Sequence, residues 1–212
     1  MHLYLTGDYR NCSYVNADGQ AIYVVETSNS GRFKTVSTVK RTNGKDGPVS
    51  SNNNFTDVGE IVFNPPTSLI QLDGASIHLH SSIRLGGREY ETSRFFSKVG
   101  LKNDLGFTGP DGVDYKWRLK NKALQLVRRN ADKTPIALFH PKIIGWLRKP
   151  RPASLEIFSE ETVDLIVVTY IFAQKEYDSR RAKAQTSPMV TSAPGFLNGV
   201  TVVARGEALQ DR

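Results

Sequence analysis

His78 and His80 stand two residues apart, so on a β-strand they share a face and could hold a metal ion. The nearest acid is Asp73, a loop away, and no third ligand adjoins them, so two solvated strand histidines and no metal are expected. Glu160 and Glu161 are paired carboxylates of the kind that glycosidases use, but they follow Ser159 and precede an apolar run, where an N-cap and first-turn acids explain them better. Asp164 lies at the start of that run. A buried ionised carboxylate needs a partner, so it must face solvent or meet an Arg or Lys. Cys12 is the single cysteine and can form neither an internal disulfide nor a cysteine zinc cage. The chain has no His-Glu-x-x-His, no Gly-x-Ser-x-Gly, no Walker loop and no dinucleotide-binding glycine triplet. An enzyme is not expected, and no cofactor is implied.

Cations are the more informative residues. The 212-residue chain carries a formal net charge of +7. Residues 109–151 hold eleven Lys/Arg against three Asp, a local excess of eight positive charges. Within that stretch Lys116, Arg118 and Lys120 alternate with Tyr115, Trp117 and Leu119, and Arg128 and Arg129 follow. A period of two puts the three cations on one outer face and the large apolar groups on the other. Concentrated positive charge favours polyanions, whether anionic lipid head groups or nucleic acid. It also serves solubility alone. Nucleic acid is the weaker fit, because a stacking platform needs aromatics and cations exposed together and the alternation separates them.

Many short strands must position these residues. Residues 14–15 and 22–25 flank Asn16-Ala17-Asp18-Gly19 as a hairpin, and residues 32–40 and 58–63 read as strands on either side of a polar loop at 41–56. Pro65 and Pro66 end the second of these. Strands are expected at 76–80 and 82–85, and a short helix at 92–99. Gly109-Pro110-Asp111-Gly112 is a turn that leads into the alternating strand at 113–120, with Val113, Tyr115, Trp117 and Leu119 facing a core. Residues 123–129 and 135–140 form a further antiparallel pair. Strands this short and regular indicate a sandwich or a closed barrel.

Residues 163–173 contain nine apolar side chains in eleven, with no polar face. As a helix, at about 159–176, such a segment must be surrounded by protein or lipid, and it is too short for the ~30 Å of a bilayer. No membrane-spanning helix is therefore expected. Its β-branched content also allows a buried central strand, whereas the capping residues and end charges favour the helix. From Ser179 the sequence turns small and polar, so the chain divides into a domain at 1–177 and a disordered tail at 178–212, in which residues 200–204 could pair as an edge strand. The first residues carry neither the basic lead nor the apolar core of a secretory signal, and a cytoplasmic address is expected.

Several blocks, in order, resemble a domain of unknown function abundant in mushroom-forming fungi. They are Leu5-Thr6-Gly7-Asp8-Tyr9-Arg10-Asn11-Cys12; Tyr14-Val15-Asn16-Ala17-Asp18-Gly19-Gln20; Phe107-Thr108-Gly109-Pro110-Asp111-Gly112 with Tyr115-Lys116-Trp117; Ala153-Ser154-Leu155-Glu156-Ile157-Phe158; and Val163-Asp164-Leu165-Ile166-Val167-Val168-Thr169. The likeness covers residues 3–177. That domain is in turn similar to the tubby C-terminal, LURP-one-related and scramblase-like group. The resemblance implies a closed antiparallel β-barrel of about twelve strands around the C-terminal apolar helix, and tubby-like domains bind phosphoinositides through surface cations. The expectation is a non-enzymatic domain, peripheral at membranes, that binds anionic head groups through Lys116, Arg118, Lys120, Arg128 and Arg129. The alternatives are a protein-interaction or regulatory scaffold that meets its partner through the tail, and a nucleic-acid-binding module.

Overall fold

A computed structural model describes residues 1–30, 34–43, 55–64, 69–72, 75–78, 80–100, 104–121, 123–145 and 149–186. The chain opens with β1 (His2–Leu5), β2 (Cys12–Val15), β3 (Ala21–Ser30), β4 (Lys34–Thr42) and β5 (Phe55–Phe63). A small hairpin of β6 (Leu69–Leu72) and β7 (Ala75–His78) leads to β8 (Ser82–Leu85) and β9 (Arg88–Glu91). After the single turn α1 (Thr92–Phe95) come β10 (Ser97–Val99), β11 (Asp104–Thr108), β12 (Asp114–Lys120), β13 (Ala123–Arg128), β14 (Ala131–His140) and β15 (Ser154–Ile157). The last element is α2 (Val163–Thr186).

Thirteen strands form one antiparallel sheet in the order β10-β11-β12-β13-β14-β15-β1-β2-β3-β4-β5-β8-β9, and β6 and β7 pair only with each other. The sheet is not closed. β10 and β9 are its two ends and do not pair, which overturns the closed barrel of about twelve strands. The reason lies in the connection between them. Where a closing ladder would run, the chain makes the turn α1 and a strand of only three residues. Aromatic side chains fill that seam instead: Phe95 lies 5.3 Å from Tyr90 and 5.5 Å from Phe107 between ring centroids, and Phe96 stacks on Phe172 of α2 at 4.3 Å. Only the first half of the expected helix at 92–99 is helical.

The apolar run is a helix, and the sheet wraps it. Ile166, Val167, Val168, Thr169, Tyr170 and Ile171 are wholly buried. Their neighbours come from distant strands. Phe172 stacks on Phe63 of β5, and Tyr170 packs against Tyr9, Trp117 of β12 and Phe139 of β14. The helix begins at Val163 rather than near 159 and continues through Thr186, so residues 178–186, assigned to the tail by composition, are helical. Residues 187–212, and with them the suggested edge strand at 200–204, lie outside the described residues. No helix among the described residues is long and apolar enough to cross a membrane.

One of two buried polar groups ties the helix to its sleeve. The Thr169 hydroxyl donates to the Leu165 carbonyl at 2.7 Å and accepts the Trp117 indole N–H at 3.1 Å, so the buried donor on β12 is satisfied. The Tyr170 hydroxyl is buried with no hydrogen-bond partner. Gly59 marks the closest approach of sheet and helix. A Cβ there would lie 2.5 and 2.9 Å from the two Val168 methyl groups and 3.1 Å from the Arg84 carbonyl.

Gly59→Ala should therefore overpack the interior and lower the unfolding free energy by about 1–3 kcal/mol in urea titrations. Val168→Ala, added to it, should restore part of the loss; if the double change is merely additive, the contact is not the cause. Thr169→Val should cost about 1–3 kcal/mol, because it strands the indole N–H, whereas Tyr170→Phe removes only an unpaired hydroxyl and should be neutral or stabilising. Equal losses in the two variants would contradict this account.

Candidate interface for anionic surfaces

β12 keeps the expected alternation along most of its length. Tyr115 and Trp117 are buried, Trp117 against Thr169 and Tyr170 of α2, and Lys116 and Arg118 are half-buried on the outward side, followed by an exposed Lys120. Alternate residues on a strand are about 7 Å apart, so the three cations form a line of about 13 Å. The alternation fails at its end. Leu119 is 38% exposed at the tip of the β12–β13 hairpin, where Asn121 takes a positive φ of 52° to turn the chain. The tip thus presents an apolar side chain beside Lys120.

The five cations singled out in the sequence do not form one surface. Lys116, Arg118 and Lys120 are brought together. Arg128 and Arg129 sit at the opposite end of the hairpin, both exposed. Arg128 stands across from Tyr115, on the inward side of the sheet, and the Arg129 amide donates to the Asp114 carbonyl at 2.8 Å. The signal was present in the sequence: Leu124, Leu126 and Arg128 share one parity, so β13 turns Arg128 toward the side of its leucines.

The end of the sheet where α2 enters is acidic. A cleft of about 470 Å³ there is lined by Arg41, Asp57, Asp111, Glu160, Glu161 and Asp164 over a floor of Val58, Leu85, Val163 and Leu165. Asp164 is fully engaged. It accepts the Tyr23 hydroxyl at 2.6 Å and pairs with Arg41 at 2.8 Å, a partner 123 residues away in sequence. Burial and the Asp164 carboxylate hold the Tyr23 phenol well above its ordinary value. Burial, together with its bond to Asp111, pushes Tyr115 up to about 12. A second cleft, of about 420 Å³, lies over the seam between Glu89, Tyr90 and Phe95 and the turn at Thr108, Gly109 and Pro110.

The remaining reactive side chains are placed as follows. Burial raises the half-buried Cys12 thiol to about 11, so it is not a thiolate. His80 pairs with Glu91 at 3.3 Å, and the side chain of His78 lies outside the described ones. Among the described residues no group of His, Cys, Asp and Glu has the arrangement of a metal site. On the outward side the register runs Arg118, Gln125, Leu138, Glu156, His2 from strand to strand. There His140 Nε2 lies 2.9 Å from Glu156, and His2 stacks on Tyr4 at 4.7 Å and on His140 at 5.9 Å.

Burial lowers the His2 pKa below 6.5; Glu156 opposes that, while His140, the chain amino group and Arg151 add to it. A histidine depressed in the folded state binds its proton more readily when unfolded. Its contribution to stability is present above the unfolded value and is lost as pH falls from about 6.5 through the lower folded value. Urea midpoints should drop between pH 7.5 and 5.5, and the drop should shrink in His2→Gln. An identical drop in that variant would remove His2 as the cause.

No curated protein and no solved structure matches the chain. A family profile matches residues 7–178, which span every strand of the sheet after β1 and the buried half of α2. The chain belongs to this family, whose description is a family of unknown function, DUF6593.

Proposed function

We propose that this domain is a non-enzymatic module that docks peripherally on anionic membrane surfaces, with phosphoinositide-type head groups as the preferred partner. The observation that carries the reading is the line of Lys116, Arg118 and Lys120 on the outward side of β12, which ends at a hairpin tip with an exposed Leu119. Positive charge in a line on a rigid strand offers head-group phosphates several contacts without ordering a loop. The resemblance of the sequence to the fungal domain, and through it to the tubby-like group, supports the same chemistry. The non-enzymatic part is supported by Asp164. The acid most deeply placed by the apolar run spends its oxygens on Tyr23 and Arg41. A cytoplasmic location, at the inner leaflet, belongs to this proposal.

Co-sedimentation with phosphatidylcholine vesicles, with and without phosphoinositide, at two salt concentrations tests it. Binding should require the anionic lipid and weaken with salt. Reversing Lys116, Arg118 and Lys120 to Glu should weaken it by about 10²-fold or more, at about 1 kcal/mol per charge near the surface. Arg128→Glu with Arg129→Glu, at the other end of the hairpin, should change it little. Absence of binding, or an equal effect of the two charge sets, would end the proposal. Unchanged urea midpoints in the variants keep misfolding out of the comparison.

A further inference from the structure

β12 starts beside the entry of α2, where Gly109 approaches Leu165, and runs to Lys120 at the opposite end of the sheet. β13 returns and β14 runs down again, with Gln125 opposite Leu138, so β14 ends at His140 beside the hairpin tip of β12 and β13. The connection from β14 to β15 therefore leaves the sheet at the same end as Leu119 and Lys120. Residues 141–153 contain no Asp or Glu. Lys142, Lys149 and Arg151 are exposed, and between them Ile144 is 86% exposed, far more than Leu119. A lone exposed aliphatic residue is ordinary on a protein surface. Ile144 differs in its setting. The loop is pinned at its neck by reciprocal backbone hydrogen bonds between Ile143 and Arg151, 2.9 and 3.1 Å, which hold Ile144 just beyond the neck. The acids that line the larger cleft lie at the other end of α2.

We propose that the described residues at the neck of this connection anchor the domain at a membrane: Ile144 enters the boundary between head groups and acyl chains while Lys142, Lys149 and Arg151 engage anionic lipid beside it. The pairing is that of an interfacial anchor, an apolar side chain flanked by long cationic ones that can reach phosphate. At the end of the sheet where β12 reaches Lys120, these residues add to the line of cations on β12. The same end then faces the bilayer, and the acidic entry of α2 faces away, where it is not repelled by the lipid. This inference rests on the lipid reading above and adds to it an insertion that charge alone does not require.

In a Cys12→Ser background, Ile144→Cys carries an environment-sensitive nitrobenzoxadiazole label, with Glu160→Cys at the acidic end as the reference position. Probes are vesicles of phosphatidylcholine alone, the same with phosphatidylserine or phosphoinositide, and soluble inositol trisphosphate. Sedimentation with the anionic vesicles, a blue-shifted label at position 144 that lipid-borne quenchers reach, and a silent label at position 160 are expected. Inositol trisphosphate, which offers the phosphates without a bilayer, should leave position 144 unshifted. In the unlabelled protein, Ile144→Ser should lower partitioning about tenfold and Ile144→Leu should hold it within about twofold. Sedimentation with an unshifted label, or with Ile144→Ser binding as the parent does, overturns the anchor and leaves the lipid reading standing. No sedimentation with any vesicle overturns both.

Discussion

The architecture depends on one requirement: eleven consecutive residues of α2 offer no face to water. Residues 163–173 bury nearly all of their side chains, and the surface they remove from water has to be matched around the full circumference of the helix. A helix meets this requirement in a way a strand could not. Its backbone groups are satisfied within the segment, so it can stand alone inside a sleeve. A central strand would need ladder partners on both sides, and the surrounding sheet already spends its backbone hydrogen bonds sideways, strand to strand, through all thirteen members. The helix brings few polar atoms inside: Thr169 meets Trp117, Asp164 meets Tyr23 and Arg41, and the Tyr170 hydroxyl is left without a partner.

The sleeve does not have to be closed by hydrogen bonds to do this. What the helix requires is apolar coverage, and at the seam the coverage comes from side chains. Phe96 lies flat on Phe172, Phe95 bridges Tyr90 and Phe107, and the edges on either side are strands of four and three residues. Short edges that carry charge, such as Arg88, Glu89 and Glu91 on β9, are poor templates for pairing with another chain. An open sheet is therefore tolerable here, and the turn at α1 supplies two aromatic rings that a continuous ladder would have had to forgo.

Local chemistry was legible in the sequence, and long-range closure was not. The alternation of β12, the turn before it, the pair that follows it and the buried run of α2 all follow from periodicity and turn residues within about a dozen positions. Three features needed contacts that no local window contains. Whether the first and last strands of the sheet meet depends on register accumulated over the whole chain. The partner of Asp164 lies on β4. The length of α2 was cut short because its last turns, rich in Lys, Arg, Ala and Gln, look like a polar tail when read for burial, although they are good helix formers continuing a helix already nucleated. At the candidate interface, grouping Arg128 with Lys116 ignored parity within β13, and Leu119 was counted into the core because a strand's period does not say where its sheet stops covering it. The exposure of Ile144 is not written in its neighbourhood, because in a stretch with no period an apolar residue gives no sign of which way it faces.

The charges of the domain separate into those the fold already explains and those it does not. Glu160, Glu161 and Asp164 sit before and within the first turn of α2, where the partial positive charge of the helix end favours them, and Lys183 in the last turn answers the opposite pole. Three of the acids that line the cleft at the entry, Glu160, Glu161 and Asp164, thus follow from the helix end held there. The cations of β12 and of the loop after β14 do not arise from the helix dipole. They belong to a strand and a connection, elements with small dipoles, and they stand on the outward side of the sheet and at the end opposite the acidic entry of α2. Bringing so many positive charges together raises the energy of the compact state by self-repulsion. An anionic partner at that end, as proposed above, would offset that cost.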